Sequence, residues 1–312
     1  MIPAPFHADL ARGPEGGQAF WLETADGVRI RLGLWRGPQH PRGTVFLLPG
    51  RTEYIEKYGP AAGDFEARGF AMLTVDWRGQ GLADRALDNR MKGHVTHFDA
   101  FQTDLDEVLE AAHALDLPRP WFVVGHSMGG TIALRRLLDG SPFAACAFSG
   151  PMFGIKLPPP VALIRKPLAN LIRQLRITGL FPPGMGPACY VLNTEFEDNL
   201  LTKDRDMWAF LVEHAARVPE LSLGGPTLGW AAEGVLECDR LAQRPSPDLH
   251  CYCSVGTDER VIDIAAVDHR MRGWRKGTLD WIDGAEHEVM MDTPERRKRF
   301  FDGCVGAFGK AL

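Results

Sequence analysis

The chain has 312 residues, 45% of them hydrophobic, with a net charge of −5 and an isoelectric point near 6.1. That length fits one large domain with a sizeable core and room for an inserted lobe. The acidic balance gives no electrostatic case for nucleic acid. No stretch approaches the roughly 18 uncharged apolar residues of a membrane-spanning helix.

Met1 to Leu10 lacks a basic region followed by an apolar one, so no signal peptide is expected. The cysteines, at 146, 189, 238, 251, 253 and 304, form neither a C-x-x-C pair nor a cluster with zinc spacing. Cys251 and Cys253 share one face of an expected strand, too close along it to bridge easily. Free thiols in a reducing cytoplasm, with no metal, are the expectation.

In chain order, Phe20–Thr24 and Val28–Trp35 alternate apolar and polar residues around Ala25-Asp26-Gly27, which reads as a β-hairpin. Thr44–Leu48 reads as a buried strand ending at Pro49-Gly50-Arg51, followed by a helix from about Lys57 to Arg68. Phe70–Val75 is the next strand. The loop after it carries Asp76, which is expected to brace that loop by pairing with Arg78. His97–Leu115 is an amphipathic helix, with Phe98, Phe101, Leu105, Val108, Leu109 and Ala112 on one face. Trp121–Val124 is a strand, Thr131–Leu138 a helix, and Ala144–Ser149 another strand. This alternation predicts a mostly parallel, doubly wound α/β sheet.

From Pro151 the rhythm breaks into helical pieces punctuated by Pro158-Pro159-Pro160, Phe181-Pro182-Pro183-Gly184 and Gly224-Gly225-Pro226. Residues 151–240 therefore read as an inserted helical cap, dividing the core into 1–150 and 241–312. Strand character returns at Leu249–Val255. A helix near Ile262–Met271, a last strand at Thr278–Ile282 and a helix from Pro294 complete the chain.

Chemistry enters at Gly125-His126-Ser127-Met128-Gly129, which lies between a strand and a helix. This G-x-S-x-G spacing is that of a nucleophile elbow, where small neighbours let a serine occupy a tight turn above the sheet. In such folds an acid and then a histidine follow in chain order. Past the insertion, the loops that qualify are Gly256–Val261, with Asp258 and Glu259, and Gly284–His287. His287 is the expected base for Ser127, and either Asp258 or Glu259 its acid. The other histidines sit beside the nucleophile, in helices, in a strand or in loops, where capping, packing or surface roles are expected. Backbone donors for an oxyanion are expected from Met128, next after the serine, and from the Pro49–Thr52 loop at Arg51.

Leu48–Tyr58 (Leu-Pro-Gly-Arg-Thr-Glu-Tyr-Ile-Glu-Lys-Tyr), Asp76–Gly81 (Asp-Trp-Arg-Gly-Gln-Gly), Gly125–Gly129, Gly256–Asp263 and Gly284–Glu288 together resemble the serine α/β-hydrolases of the lysophospholipase L2 and monoacylglycerol lipase group. Asn199-Leu200-Leu201-Thr202 extends the likeness weakly into the insertion. The resemblance implies an α/β-hydrolase fold with a lid, and an acyl-enzyme formed without metal or cofactor on a single-acyl glycerolipid ester. The early loop departs from the group's His-Gly-x-Gly pattern at Pro49 and Thr52, which a backbone oxyanion hole tolerates. The group's acid, usually Asp three residues after the glycine, falls at Glu259, which favours Glu259 over Asp258. A short-chain ester or thioester hydrolase, a related peptidase, and a catalytically silent ligand-binding protein are the alternatives.

Val161–Arg176 is basic and amphipathic in an acidic chain. It suits either peripheral contact with an anionic inner membrane face or an ordinary lid helix with its cations in water. Pro167 is expected to kink or restart it. Trp208, Phe210 and Trp230 are candidate acyl-site residues, with packing as their commoner use.

Overall fold

The computed structural model describes residues 1–312. Its first part comprises β1 (Ile2–Pro3), the single-turn helix α1 (Ala8–Ala11), β2 (Gln18–Glu23), β3 (Arg29–Trp35), β4 (Thr44–Leu48), α2 (Gly59–Glu66) and β5 (Ala71–Asp76). Next come α3 (Ala100–Ala114), β6 (Trp121–His126), α4 (Met128–Asp139) and β7 (Phe143–Ser149). The insertion carries α5 (Pro159–Leu163), α6 (Arg165–Gln174), α7 (Arg205–Arg217) and α8 (Leu228–Ala242). The chain closes with β8 (His250–Gly256), α9 (Ile264–Arg272), β9 (Gly277–Ile282) and α10 (Pro294–Gly309).

All nine strands form one sheet in the order β1-β2-β3-β5-β4-β6-β7-β8-β9. Pairing is antiparallel from β1 through β3 to β5 and parallel from β5 onward. The central strands are apolar on both faces because helices cover both, and the two-residue period sorts their side chains between two cores. On β6, Trp121 and Val123 join Phe46, Leu48 and the inward faces of α3, α4 and α9. Phe122 and Val124 join Val45, Leu47 and the faces of α2 and α10. Phe308 of α10 stacks on Phe122, with ring centroids 4.4 Å apart.

Register sets up the site. Leu48 pairs with Gly125, His126 with Ser149, and Gly256 with Ile282. The loops after β4, β6, β8 and β9 therefore all leave the same carboxyl edge, where open α/β sheets place ligands.

The insertion contains no strand of the sheet, and α6 lies on α8 through Ala169, Ile172 and Ala232. The helix breaks at Ile164, between α5 and α6, so Pro167 falls inside the first turn of a restarted helix, where its missing N–H is harmless. Two of the segment's cations are turned inward. Arg165 pairs with Asp239 of α8 at 2.9 Å, and Arg173 pairs with Glu233.

Two local expectations are corrected. The amphipathic helix begins at Ala100 after Asp99, so His97 precedes it and is exposed, while His94 bonds Thr227 Oγ1 at 2.8 Å. Asp76 does not pair with Arg78. Its carboxylate takes the Arg31 guanidinium at 2.7 Å and the N–H groups of Ile55 and Leu82, both at 2.8 Å. Arg78 reaches the other way, to Asp26 and Asp104, both at 2.7 Å. The reason is topological: β3 lies antiparallel beside β5 with Arg31 opposite Asp76, a pairing far apart in sequence.

Arg31, Glu56 and Asp76 have fully buried side chains. Removing one member of such a group strands the remaining charge in a low dielectric. Arg31→Met should therefore lower unfolding stability by about 3–5 kcal/mol, measured by urea denaturation with an unchanged m-value.

Candidate active site

Ser127 is the residue between β6 and α4. Its backbone, at φ 48° and ψ −117°, occupies a region that non-glycine residues rarely adopt. Main-chain bonds hold it there: Ser127 N–H donates to Ser149 O at 3.2 Å, and Ser127 O accepts from Gly130 and Met152, both at 2.9 Å. The turn also needs close approach by the neighbouring strand. A Cβ on Gly129 would lie 2.0 Å from Leu48 O, which no larger residue could tolerate. The small residue expected two after the serine is thus required by β4 as well as by the turn.

His287 follows β9. Its Nδ1 lies 2.6 Å from Glu259 Oε2, and both side chains are almost wholly enclosed. The other carboxylate oxygen, Oε1, accepts the N–H groups of Val261 at 2.5 Å and Ile262 at 3.3 Å. Burial pushes the Glu259 pKa up, but the His287 charge and these hydrogen bonds prevail and hold it below the usual carboxylate range. An ionised Glu259 accepting from Nδ1–H leaves Nε2 of the imidazole as the basic nitrogen. The adjacent Asp258 is half exposed, and its neighbour is Lys203 at 3.5 Å. Arg260, the other partner open to it, goes to Glu286 at 2.7 Å. Of the two acids, Glu259 is the one that the fold brings to His287.

The His287 ring lies against Gly150, which has φ +47° and where a Cβ would sit 3.1 Å from Nδ1. Its N–H donates to Leu200 O at 3.3 Å, and that of Glu288 to Leu201 O at 2.8 Å. Those two carbonyls are presented by an Asx turn, in which Asn199 Oδ1 accepts from Leu201 and Thr202. Thr202 Oγ1 donates in turn to Met291 O at 2.7 Å. The Asn199–Thr202 segment thus clamps the histidine loop.

The Pro49–Thr52 loop abuts the serine: a Cβ on Gly50 would lie 3.0 Å from Ser127 Cβ. Neither the Arg51 N–H nor the Met128 N–H donates to any group of the chain. Met128 begins α4, so its N–H is also among the unpaired amides at the positive end of that helix. The loop is pinned by Trp77 Nε1–H to Pro49 O at 3.0 Å, Gln80 Nε2–H to Gly50 O at 2.9 Å and Thr52 N–H to Gln80 Oε1 at 3.1 Å.

Beneath it lies a buried ionic cluster that the sequence did not disclose. Glu53 accepts from Gly50 N–H, the Tyr58 hydroxyl and Lys57 Nζ, the last at 2.6 Å. Lys57 also binds Glu288, at 2.6 Å, and His126 Nε2 lies 3.3 Å from Glu53. The carboxylates of Glu53 and Glu288 and the His126 ring come close enough together to suggest a metal, but the Lys57 ammonium already bridges the two acids. His126 donates from Nδ1 to Ser149 O at 2.9 Å, and its ring lies 4.9 Å from that of His287. This cluster joins the residue before the serine, the residue after the histidine and the early loop into one unit. Only the i, i+4 pair Glu53/Lys57 hinted at it in the sequence.

The aromatic candidates separate. Phe210 is fully buried against His214, with ring centroids 4.1 Å apart, which leaves it no free face. Trp208 is 7% exposed and meets Tyr190 edge-on at 6.2 Å. Packing accounts for both. Trp230 alone touches a site residue, with the Arg51 guanidinium 5.6 Å from its ring centroid.

Residues 39–294 match the model of the family described as serine aminopeptidase, S33 (Hydrolase_4). The chain belongs to this family. The Hydrolase_4 chain is 28% identical to lysophospholipase L2 of Escherichia coli K12 over 301 residues, covering 91% of this chain and 85% of that one. A solved monoglyceride lipase of Saccharomyces cerevisiae, a soluble variant bound to a substrate analog, superposes with a TM-score of 0.70 at 20% identity. That match covers 93% of this chain and 94% of the yeast one. A monoacylglycerol lipase of Paleococcus ferrophilus gives 0.68 at 20% identity, covering 90% and 98%. The fold is that of the α/β-hydrolases, and the relatives are hydrolases of the esterase and lipase type.

Proposed function

We propose that this Hydrolase_4 chain is a serine carboxylic-ester hydrolase acting on single-acyl glycerolipids, lysophospholipid or monoacylglycerol, through an acyl-enzyme. Ser127 Oγ attacks the ester carbonyl while His287 Nε2 takes its proton. Glu259 holds the imidazole in the required tautomer and stabilises its cation. The Met128 and Arg51 N–H groups receive the tetrahedral oxyanion. His287 then protonates the departing glycerol oxygen, and water clears the acyl group by the reverse sequence.

The observation that carries this reading is the buried 2.6 Å contact of His287 Nδ1 with Glu259, set beside the strained Ser127 turn and two unspent backbone donors. The likeness to lysophospholipases and monoglyceride lipases supports the lipid ester. So does the insertion, where Leu163, Ile164, Leu171 and Leu175 are each 47–86% exposed. With Lys166 and Arg176 on the same segment, they suit peripheral contact of a cytoplasmic enzyme with the inner membrane face. A peptidase reading follows from the family's description. An aminopeptidase must hold a substrate ammonium near the scissile bond, however, and here Arg51 would oppose it.

A panel of lysophosphatidylcholine, monoacylglycerol and short p-nitrophenyl esters tests the proposal. Higher kcat/KM on the single-acyl lipids is expected. Turnover of soluble short esters with none of either lipid would defeat the lipid assignment.

A further inference from the structure

The Arg51 side chain is a half-buried cation with few partners. Its backbone lies beside Ser127, and its guanidinium reaches in among residues 93 and 223–230 at the base of the insertion. Nη1 donates to Gly224 O at 2.8 Å and would lie 3.2 Å from a Cβ on Gly93. No carboxylate lies within ion-pair distance of it. Glu53, the acid whose charge acts on it, is engaged by Lys57, Tyr58, His126 and Gly50 N–H. Arg85, Arg90 and Arg270 also lack carboxylates, and Arg90 binds two carbonyls. Arg85, however, places each of its three nitrogens on a carbonyl, and Arg270 binds two carbonyls and a hydroxyl. Arg51 makes one bond from the five N–H groups a guanidinium offers.

One further group beside it is unmatched. The Nε1–H of Trp230, on the ring beside the guanidinium, is buried without an acceptor. Burial lowers the Arg51 pKa to about 10, with Glu53 offsetting only part of it, so the group stays cationic at neutral pH.

A half-buried cation with no counter-ion and donors to spare is a poor neighbour for a neutral glycerol and a good one for a doubly hydrogen-bonding anion. The two kinds of single-acyl glycerolipid differ on this point. In a lysophospholipid the glycerol carbons separate the ester carbonyl from the phosphate, and in Arg51 a side chain of similar reach separates the oxyanion donor from the guanidinium. We propose that the Arg51 side chain receives the phosphate of a lysophospholipid headgroup, making this residue the determinant that selects phosphate-bearing lipids over monoacylglycerol. Planar guanidinium against phosphate oxygens allows a bidentate contact, which lysine cannot reproduce. The inference rests on the ester-hydrolase reading above and assigns the leaving group its polar partner.

The test compares kcat/KM for lysophosphatidylcholine and monoacylglycerol of the same short acyl chain, both below their micelle concentrations. Arg51→Met and Arg51→Lys should reduce the ratio of the two by about tenfold or more and by a smaller factor, respectively. Both variants keep the backbone N–H, so lost oxyanion binding would depress both substrates alike. Calorimetric titration with sn-glycerol 3-phosphate gives a readout independent of turnover. The wild type should bind it, should bind glycerol at least tenfold more weakly, and should lose the difference in Arg51→Met. An unchanged substrate ratio overturns headgroup recognition, whether or not glycerol 3-phosphate binds, and leaves the serine hydrolase standing if ester turnover remains Ser127-dependent. Loss of Ser127-dependent turnover on every ester, with no glycerol 3-phosphate binding, removes both readings.

Discussion

Ser127→Ala should lower kcat/KM on every ester substrate by roughly 10⁴–10⁶-fold while leaving the melting transition nearly unchanged. The size follows from what remains. Without the hydroxyl, the chain keeps the free N–H groups of Arg51 and Met128, which supply only the residual acceleration of an oxyanion hole. The fold has little reason to respond. The backbone bonds from Ser127 to Ser149, Gly130 and Met152 do not involve the side chain, and alanine is smaller than serine. His287→Ala should match the loss, and the double variant should be no worse than either single one, since the two groups act on one proton. A double variant much slower than both would show that serine and histidine work separately.

Glu259→Gln should reduce kcat/KM by roughly 10²–10⁴-fold, whereas Asp258→Asn should stay within about threefold of the wild type. Glutamine can present an amide N–H to Nδ1 in place of an acceptor, which favours the tautomer with its proton on Nε2 and removes the base. Asp258 faces solvent and a half-exposed Lys203, so its charge is screened and its removal touches nothing at His287. A pH series gives a second check with a definite sign. Glu259 is held below the ordinary carboxylate range. The stability it contributes is therefore complete above an unfolded value of about 4.3 and is lost as pH falls through the lower folded value. Between pH 7 and roughly pH 4 and below, the wild type should lose more unfolding free energy than Glu259→Gln. Equal losses, or activity abolished only by Asp258→Asn, would move the acid to the neighbouring residue.

The parts of this architecture legible in sequence are those written locally. Strand–turn–helix around Ser127 carried its own punctuation, and period-two apolar runs separated the sheet from the amphipathic α3. The Ser, acid, His order was legible because each loop leaves a strand end. The choice between Asp258 and Glu259 came from a spacing within the family pattern. The packing around it has a simple physical form: one side chain turns inward to three donors, and the other turns out.

What stayed hidden was non-local. Arg31 meets Asp76 across two strands, Lys57 meets Glu288 across most of the chain, and the Asn199 turn holds a loop nearly ninety residues further on. A single sequence contains no signal for such pairings, because either partner alone reads as a surface charge. The same limit explains the mistaken Asp76–Arg78 pair, which proximity along the chain suggested and sheet topology overrode. Arg51 illustrates a subtler case. Its backbone role follows from position after β4, whereas the want of a counter-ion for its side chain becomes visible only once the insertion has folded over it.

A rapid-quench experiment on the wild-type chain with a p-nitrophenyl ester of a medium-length fatty acid tests the acyl-enzyme directly. The quenched protein is digested and its peptides weighed by mass spectrometry. The expected result is a burst of nitrophenol and one acyl group per chain, carried on the peptide containing Ser127 and absent from Ser127→Ala. Steady turnover with no acylated Ser127 peptide at any quench time, or an acyl group carried on another residue, would contradict it.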